Sequence, residues 1–169
     1  MPAHFKAART ARKSSKKTAT VAELLVLYFD AAFIAKFYLQ EPESDAVRAF
    51  TEDSPGITSM VIGRLETELV FTRKLREGAL TPRAHEALIA QFQVDCEDGL
   101  WSWLPVTDEL VAAAQEATRS LPGGVFVRSL DALHLTCARW HGYERIYSND
   151  KHLTNAAPHF GLQLGSLTR

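Results

Sequence analysis

Four acidic residues stand out by position: Asp30, Glu66, Asp131 and Asp150. Asp30 closes the apolar run Leu24-Leu25-Val26-Leu27-Tyr28-Phe29, and Asp150 comes two residues after Ile146-Tyr147-Ser148. In an open parallel sheet, functional groups gather beyond the C-terminal ends of strands, so both carboxylates would reach one rim. Asp131 lies near the start of the apolar segment 129–140, where the positive end of a helix dipole favours a carboxylate. Glu66 shares its side of a helix with Ile62, Leu69 and Val70.

Carboxylates on apolar elements are costly to bury unless a cation offsets them. Hard oxygen donors, with no thiol and no clustered imidazole, point to Mg²⁺ or Mn²⁺ and away from Zn²⁺. The matching chemistry is phosphodiester hydrolysis, in which such an ion activates water and neutralises charge at phosphorus and at the leaving oxygen. Each acid alone also has an ordinary reading. Asp131 could cap its helix, Asp150 could sit in a turn, and Glu66 could pair with Arg64 or Arg73.

The surrounding polar residues are weaker candidates. Ser148 is placed to hydrogen-bond a carboxylate or a metal-bound water, and Asn149 could do the same. His134 follows Asp131 by three residues on one helical face, where it would orient that carboxylate or bond within the core. His85, His141, His152 and His159 lack metal-ligand spacing. Lys151, Arg73, Lys74 and Arg76 could meet phosphate, although basic runs on helices are usually solvated.

The elements that must position these residues follow from periodicity and punctuation. The run 24–29 reads as a strand buried on both faces, as parallel sheets require. Helices are expected over 31–39, ended by Glu41-Pro42, and over 44–52, with Ala46, Val47, Ala49 and Phe50 inward. After the Ser54-Pro55-Gly56 turn come a strand at 57–59 and a helix over 61–77, with Leu65, Leu69, Phe71 and Leu75 inward. Thr81-Pro82 opens a helix to Asp98, and Trp101 to Leu104 read as a strand. Helices over 109–120 and 129–140, a strand at 145–148, a short helix to Ala157 and an edge strand at 162–164 complete the chain. Alternating strands and helices imply an α/β fold with a central parallel sheet of four to five strands flanked by helices.

With 169 residues and 46% hydrophobic side chains, the chain suits a single domain with one core. The net charge of -1 conceals an asymmetry, since residues 1–20 carry six basic side chains and no acid. Residues 1–22 therefore read as a basic, disordered tail and residues 23–169 as the domain. A net acidic body binds RNA poorly unless metal masks some carboxylates. The two isolated cysteines, Cys96 and Cys137, suggest neither zinc nor a disulfide and fit a reducing cytoplasm. No apolar run approaches the roughly 18 residues that span a bilayer.

Taken together, the strings resemble PIN-domain ribonucleases, in particular the VapC-type toxins of bacterial toxin–antitoxin pairs. The resemblance is carried by Leu27-Tyr28-Phe29-Asp30, by Thr58-Ser59 followed by Glu66, by Leu130-Asp131-Ala132-Leu133-His134-Leu135, and by Ser148-Asn149-Asp150-Lys151-His152-Leu153. It extends over about residues 25–165. It implies a PIN fold, a Mg²⁺- or Mn²⁺-dependent endoribonuclease, a homodimer, and a cognate antitoxin whose tail occupies the active-site groove. By position it assigns Asp30, Glu66, Asp131 and Asp150 as the acids that bind metal and catalyse, prefers Glu66 to Glu68, and places Ser148 at the hydroxyl position before the last acid. Members of that family commonly carry Ser or Thr shortly after the first Asp, where this chain has Ala31-Ala32.

A second reading is a catalytically weakened PIN domain that binds RNA or a protein partner, supported by the same two alanines. A phosphatase of the haloacid dehalogenase type would need a second Asp two residues after Asp30, and position 32 is Ala.

Overall fold

A computed structural model describes residues 26–52 and 54–167. The expected basic tail, together with Leu24 and Leu25, lies outside the described residues. Strand β1 (Leu27–Tyr28) leads to helices α1 (Ala31–Tyr38) and α2 (Ser44–Glu52), then to β2 (Ile57–Met60). The hairpin of α3 (Gly63–Arg76) and α4 (Pro82–Glu97) precedes β3 (Trp101–Leu104), which α5 (Asp108–Arg119) and α6 (Ser129–Trp140) follow. The chain closes with β4 (Arg145–Ile146), α7 (Lys151–Ala156), a 3₁₀ turn (Ala157–Phe160) and β5 (Gln163–Leu164).

Among the described residues all strand pairings are parallel. β1, β2 and β3 form one sheet in that order and β4 pairs with β5, while a parallel bridge between Phe29 and Tyr147 joins the two. The bridge is held by Tyr147 N to Tyr28 O at 2.9 Å and Asp30 N to Tyr147 O at 3.1 Å. The strand order across the molecule is therefore β3-β2-β1-β4-β5. The chain winds outward from β1 to one side and from β4 to the other, so the crevice where such folds bind ligands lies between β1 and β4.

Successive side chains of a strand point to opposite faces, and this splits the core in two. Leu27, Phe29 and Tyr147 enter a cluster with Phe33, Ile34, Tyr38, Phe71, Phe92 and Trp101. Tyr28 and Ile146 enter the other, with Met60, Leu135, Leu153 and Phe160. Burial on both faces explains why β1 reads as an unbroken apolar run. The first cluster carries one polar network, in which the Trp101 indole donates to the Tyr38 hydroxyl at 2.6 Å and that hydroxyl donates to Asp95 at 2.9 Å.

Helix positions agree with expectation more closely than helix faces do. On α3 only Gly63, Thr67 and Phe71 are buried, whereas Leu65 and Leu69, expected inward, are 60% and 55% exposed. The stripe repeats every four residues and begins on two small ones. A Cβ at Gly63 would stand 2.9 Å from the Ser59 hydroxyl and 3.4 Å from the Trp103 ring, so close packing of α3 on β2 selects glycine there. On α2, Ala46 and Ala49 are exposed and Val47 is buried. Leu130 of α6 is also exposed, while Leu135, Cys137 and Ala138 carry that helix into the second cluster.

Candidate active site

Three of the four acids sit at helix N-termini, where backbone N–H groups and the helix dipole favour negative charge. Asp30 directly follows β1 and caps α1, its Oδ1 accepting from Phe33 N at 2.8 Å. Asp150 caps α7, with Oδ1 accepting from His152 N at 2.8 Å and Leu153 N at 3.2 Å. Asp131 lies in the first turn of α6 and reaches back to Arg128 N at 3.4 Å. The ordinary roles of Asp131 as a cap and Asp150 as a turn residue are thus both met, and their remaining oxygens, Asp131 Oδ1 and Asp150 Oδ2, turn to one side chain, Arg128.

Glu66 stands in the first turn of α3 and takes neither Arg64 nor Arg73 as partner. Its Oε2 lies 2.8 Å from His134 Nε2, and His134 Nδ1 lies 3.1 Å from the Tyr28 hydroxyl. His134 therefore joins the core to Glu66 and does not orient Asp131. Burial drives the Tyr28 pKa well above its ordinary value, so the phenol keeps its proton.

Ser148 ties the rim together. Its hydroxyl donates to Asp30 Oδ2 in a short hydrogen bond and accepts from Asp150 N at 3.0 Å. A hydroxyl thus reaches Asp30 from the end of β4, in a chain where Ala31-Ala32 supplies none. Asn149 instead donates to Glu43 at 2.8 Å, away from the four acids.

The electrostatics of the acids differ. Desolvation raises Asp30 from 3.8 to about 6, against the opposing hydrogen bonds from Ser148 and Phe33 N, with His134 lowering it and Glu66 raising it. Asp150 is partly desolvated, yet hydrogen bonds from Leu153 N, Arg128 and His152 N hold it below the ordinary carboxylate range. Arg128, which the sequence reading did not single out, spans Asp131 and Asp150: Nε is 2.8 Å from Asp131 Oδ2 and Nη2 is 2.5 Å from Asp150 Oδ2. The Arg-x-x-Asp spacing at a helix start is the signal that could have revealed it.

The five expected residues therefore fall into one connected set. Ser148 links Asp30 to Asp150, Arg128 links Asp150 to Asp131, and Glu66 is near enough to raise the Asp30 pKa. Among the described residues, no three His, Cys, Asp or Glu side chains converge tightly enough to enclose an ion as they stand. The donor set nonetheless fits a hard divalent cation. It is all oxygen, it includes a carboxylate whose ionisation burial opposes, and two of its members already hold a cation, the Arg128 guanidinium. Such an ion would be held by Asp30, Asp131 and Asp150, with Glu66 beside them.

No curated protein matches the chain at a significant level. Among solved structures, its fold is similar to that of Mycobacterium tuberculosis VapC20, described as a sarcin-ricin loop cleaving toxin, with a TM-score of 0.58 and 18% sequence identity over 77% of this chain and 94% of that one. The family profile of the PIN domain matches residues 27–157, a span that holds all four acids and strands β1 to β4, and the chain belongs to the PIN domain family.

Proposed function

We propose that this protein is a metal-dependent endoribonuclease of the VapC toxin type, hydrolysing phosphodiester bonds in RNA. The observation that carries the reading is the linked acidic rim at the β1–β4 crevice, where Asp30, Ser148, Asp150, Arg128 and Asp131 form one hydrogen-bonded chain with Glu66 beside it. Membership of the PIN domain family and the fold shared with a sarcin-ricin loop cleaving toxin point the same way.

A bound Mg²⁺ or Mn²⁺ would supply an acidified water and positive charge at the scissile phosphate. The chain's own residues do the rest. Asp30, Asp131 and Asp150 would hold such an ion from three helix starts whose backbone N–H groups orient the carboxylates. The Ser148 hydroxyl stabilises ionised Asp30 against its burial. His134, held by Tyr28, keeps the Glu66 carboxylate turned toward the rim.

On this reading the partners are RNA, a second copy of the chain, and a cognate antitoxin that covers the rim. The compartment is the cytoplasm. Among the described residues no helix is long and apolar enough to cross a membrane.

Expression in a bacterial host tests the proposal. The intact chain should arrest growth and leave discrete RNA fragments, and Asp131→Asn should do neither; arrest that persists in the variant would refute it. The weakened binding-module reading is favoured by one observation, that Arg128 neutralises two of the four acids. RNA binding without cleavage at saturating Mn²⁺ would establish that reading instead.

A further inference from the structure

The acidic rim carries a positive charge of its own. Arg128 immediately precedes α6 and its head forms a fork: Nε lies 2.8 Å from Asp131 Oδ2, while Nη2 lies 3.2 Å from Asp131 Oδ1 and 2.5 Å from Asp150 Oδ2. A planar guanidinium suits paired carboxylates because its donors are fixed in one plane. The fork ties the start of α6 to the start of α7, two elements that no covalent link holds together at this edge.

The layering of the three side chains matters. Asp131 is 11% exposed and Asp150 31%, whereas Arg128 is 51% exposed and forms the outer layer. The guanidinium can therefore withdraw to solvent without disturbing the core. Both carboxylates would keep their backbone anchors, Asp150 through His152 N and Leu153 N and Asp131 through Arg128 N. The oxygens released by the fork would then face outward together, on backbone that has not moved.

Resting on the metal-dependent reading above, we propose that Arg128 is a tethered cation that pairs with Asp131 and Asp150, already oriented by their backbone anchors, and exchanges there with the divalent ion. Ion binding and release of the Arg128 head are then a single competitive equilibrium. The sign of its consequence separates this role from two simpler ones. A merely structural cap, once removed, would loosen the carboxylates and weaken ion binding. An arginine that only contacts RNA phosphate would leave ion binding unchanged. A competing internal cation, once removed, strengthens it.

The test is Mn²⁺ binding to the full chain without RNA, read by calorimetry or by the electron-spin signal of free Mn²⁺. It compares wild type with Arg128→Gln, Arg128→Lys and Arg119→Gln. Arg119 is exposed on α5 and pairs with its neighbour Glu116, so its variant controls for the loss of one unit of charge. Arg128→Gln should bind Mn²⁺ at least about fivefold more tightly than wild type, a coupling at the low end of that between linked sites. The gain should shrink as salt rises. Arg128→Lys, which keeps the charge but loses the fork, should fall between, and Arg119→Gln should match wild type.

In the presence of a chelator Arg128→Gln should melt lower than wild type, and Mn²⁺ should raise its melting temperature by more. Arg128→Gln binding with wild-type or weaker affinity overturns the proposal. If that variant does not fold, Arg128→Lys decides, since binding no tighter than wild type overturns the proposal equally. Failure of wild type itself to bind Mn²⁺ removes the metal reading; wild-type binding with no effect at Arg128 removes only the competition.

Discussion

The imidazole Nε2 of His134 lies 2.8 Å from Oε2 of Glu66, and this contact orients both side chains. Burial keeps Tyr28 protonated, and its hydroxyl lies 3.1 Å from Nδ1, so one ring nitrogen meets the phenol in the core while the other meets Glu66. Partners that orient a metal-binding or catalytic side chain in this way are typically worth about 10–100-fold in activity. His134→Ala should lower RNA cleavage by that factor while leaving RNA affinity unchanged. Cleavage at wild-type rate in a folded His134→Ala protein would dismiss His134 as a positioning group.

Asp30 should make stability depend on pH in the direction opposite to a salt-bridged aspartate. Its folded pKa of about 6 lies above the ordinary 3.8, so folding favours the protonated carboxyl. The penalty on the ionised form is absent below about pH 3.8, grows as pH rises, and is complete above about 6, where it reaches roughly 3 kcal/mol. Asp30→Asn keeps an oxygen to cap α1. In the presence of a chelator it should therefore be more stable than wild type at pH 8, with the advantage vanishing near pH 4. Urea denaturation at the two pH values measures this, and equal stability at pH 8 would contradict it.

Ser148→Ala removes the hydroxyl that offsets burial of Asp30. The Asp30 pKa should move upward from about 6, and stability should fall by roughly 1 kcal/mol for the lost hydrogen bonds. An NMR titration of the Asp30 carboxyl carbon follows the first effect directly. Ser148→Thr, which retains a hydroxyl, should restore most of it, and an unmoved titration in Ser148→Ala would show the contact to be dispensable.

Two leucines and a phenylalanine on α3 should separate sharply in denaturation experiments. Phe71 is fully buried in the first cluster, so Phe71→Ala should lose about 3–5 kcal/mol. Leu65→Ala and Leu69→Ala should stay within about 0.5 kcal/mol for the isolated chain, because both side chains are largely exposed. A large loss in either leucine variant that grows with protein concentration would place those side chains in a contact between copies.

The limits of reading this fold from sequence are visible on that same helix. Leu65, Leu69 and Phe71 are all apolar, but the face toward the core is set by the small residues Gly63 and Thr67, which let α3 approach β2 closely. Hydrophobic periodicity locates the helix and misassigns its face, because close approach favours small side chains over apolar ones. The strands were legible because apolar runs ending in Asp30 and before Asp150 are short and sharply bounded. The rim was legible at Asp30, Asp150 and Ser148, which follow strand ends. Arg128 was not, since its role depends on α6 and α7 starting side by side, a juxtaposition of segments 22 residues apart that exists only in the folded chain. His134 was visible as a partner for some carboxylate, but which one depended on the packing of α3 beside α6.

Cleavage of a structured RNA by the purified chain, with Mn²⁺ titrated against a chelator, tests the central claim most directly when run beside Asp30→Asn, Glu66→Gln, Asp131→Asn and Asp150→Asn. The account predicts discrete fragments that require the ion and a loss of about 100-fold or more in each isosteric variant, since each removes one charge without changing side-chain shape. Fragments that persist in chelator, or appear at wild-type rate in all four variants, would contradict it.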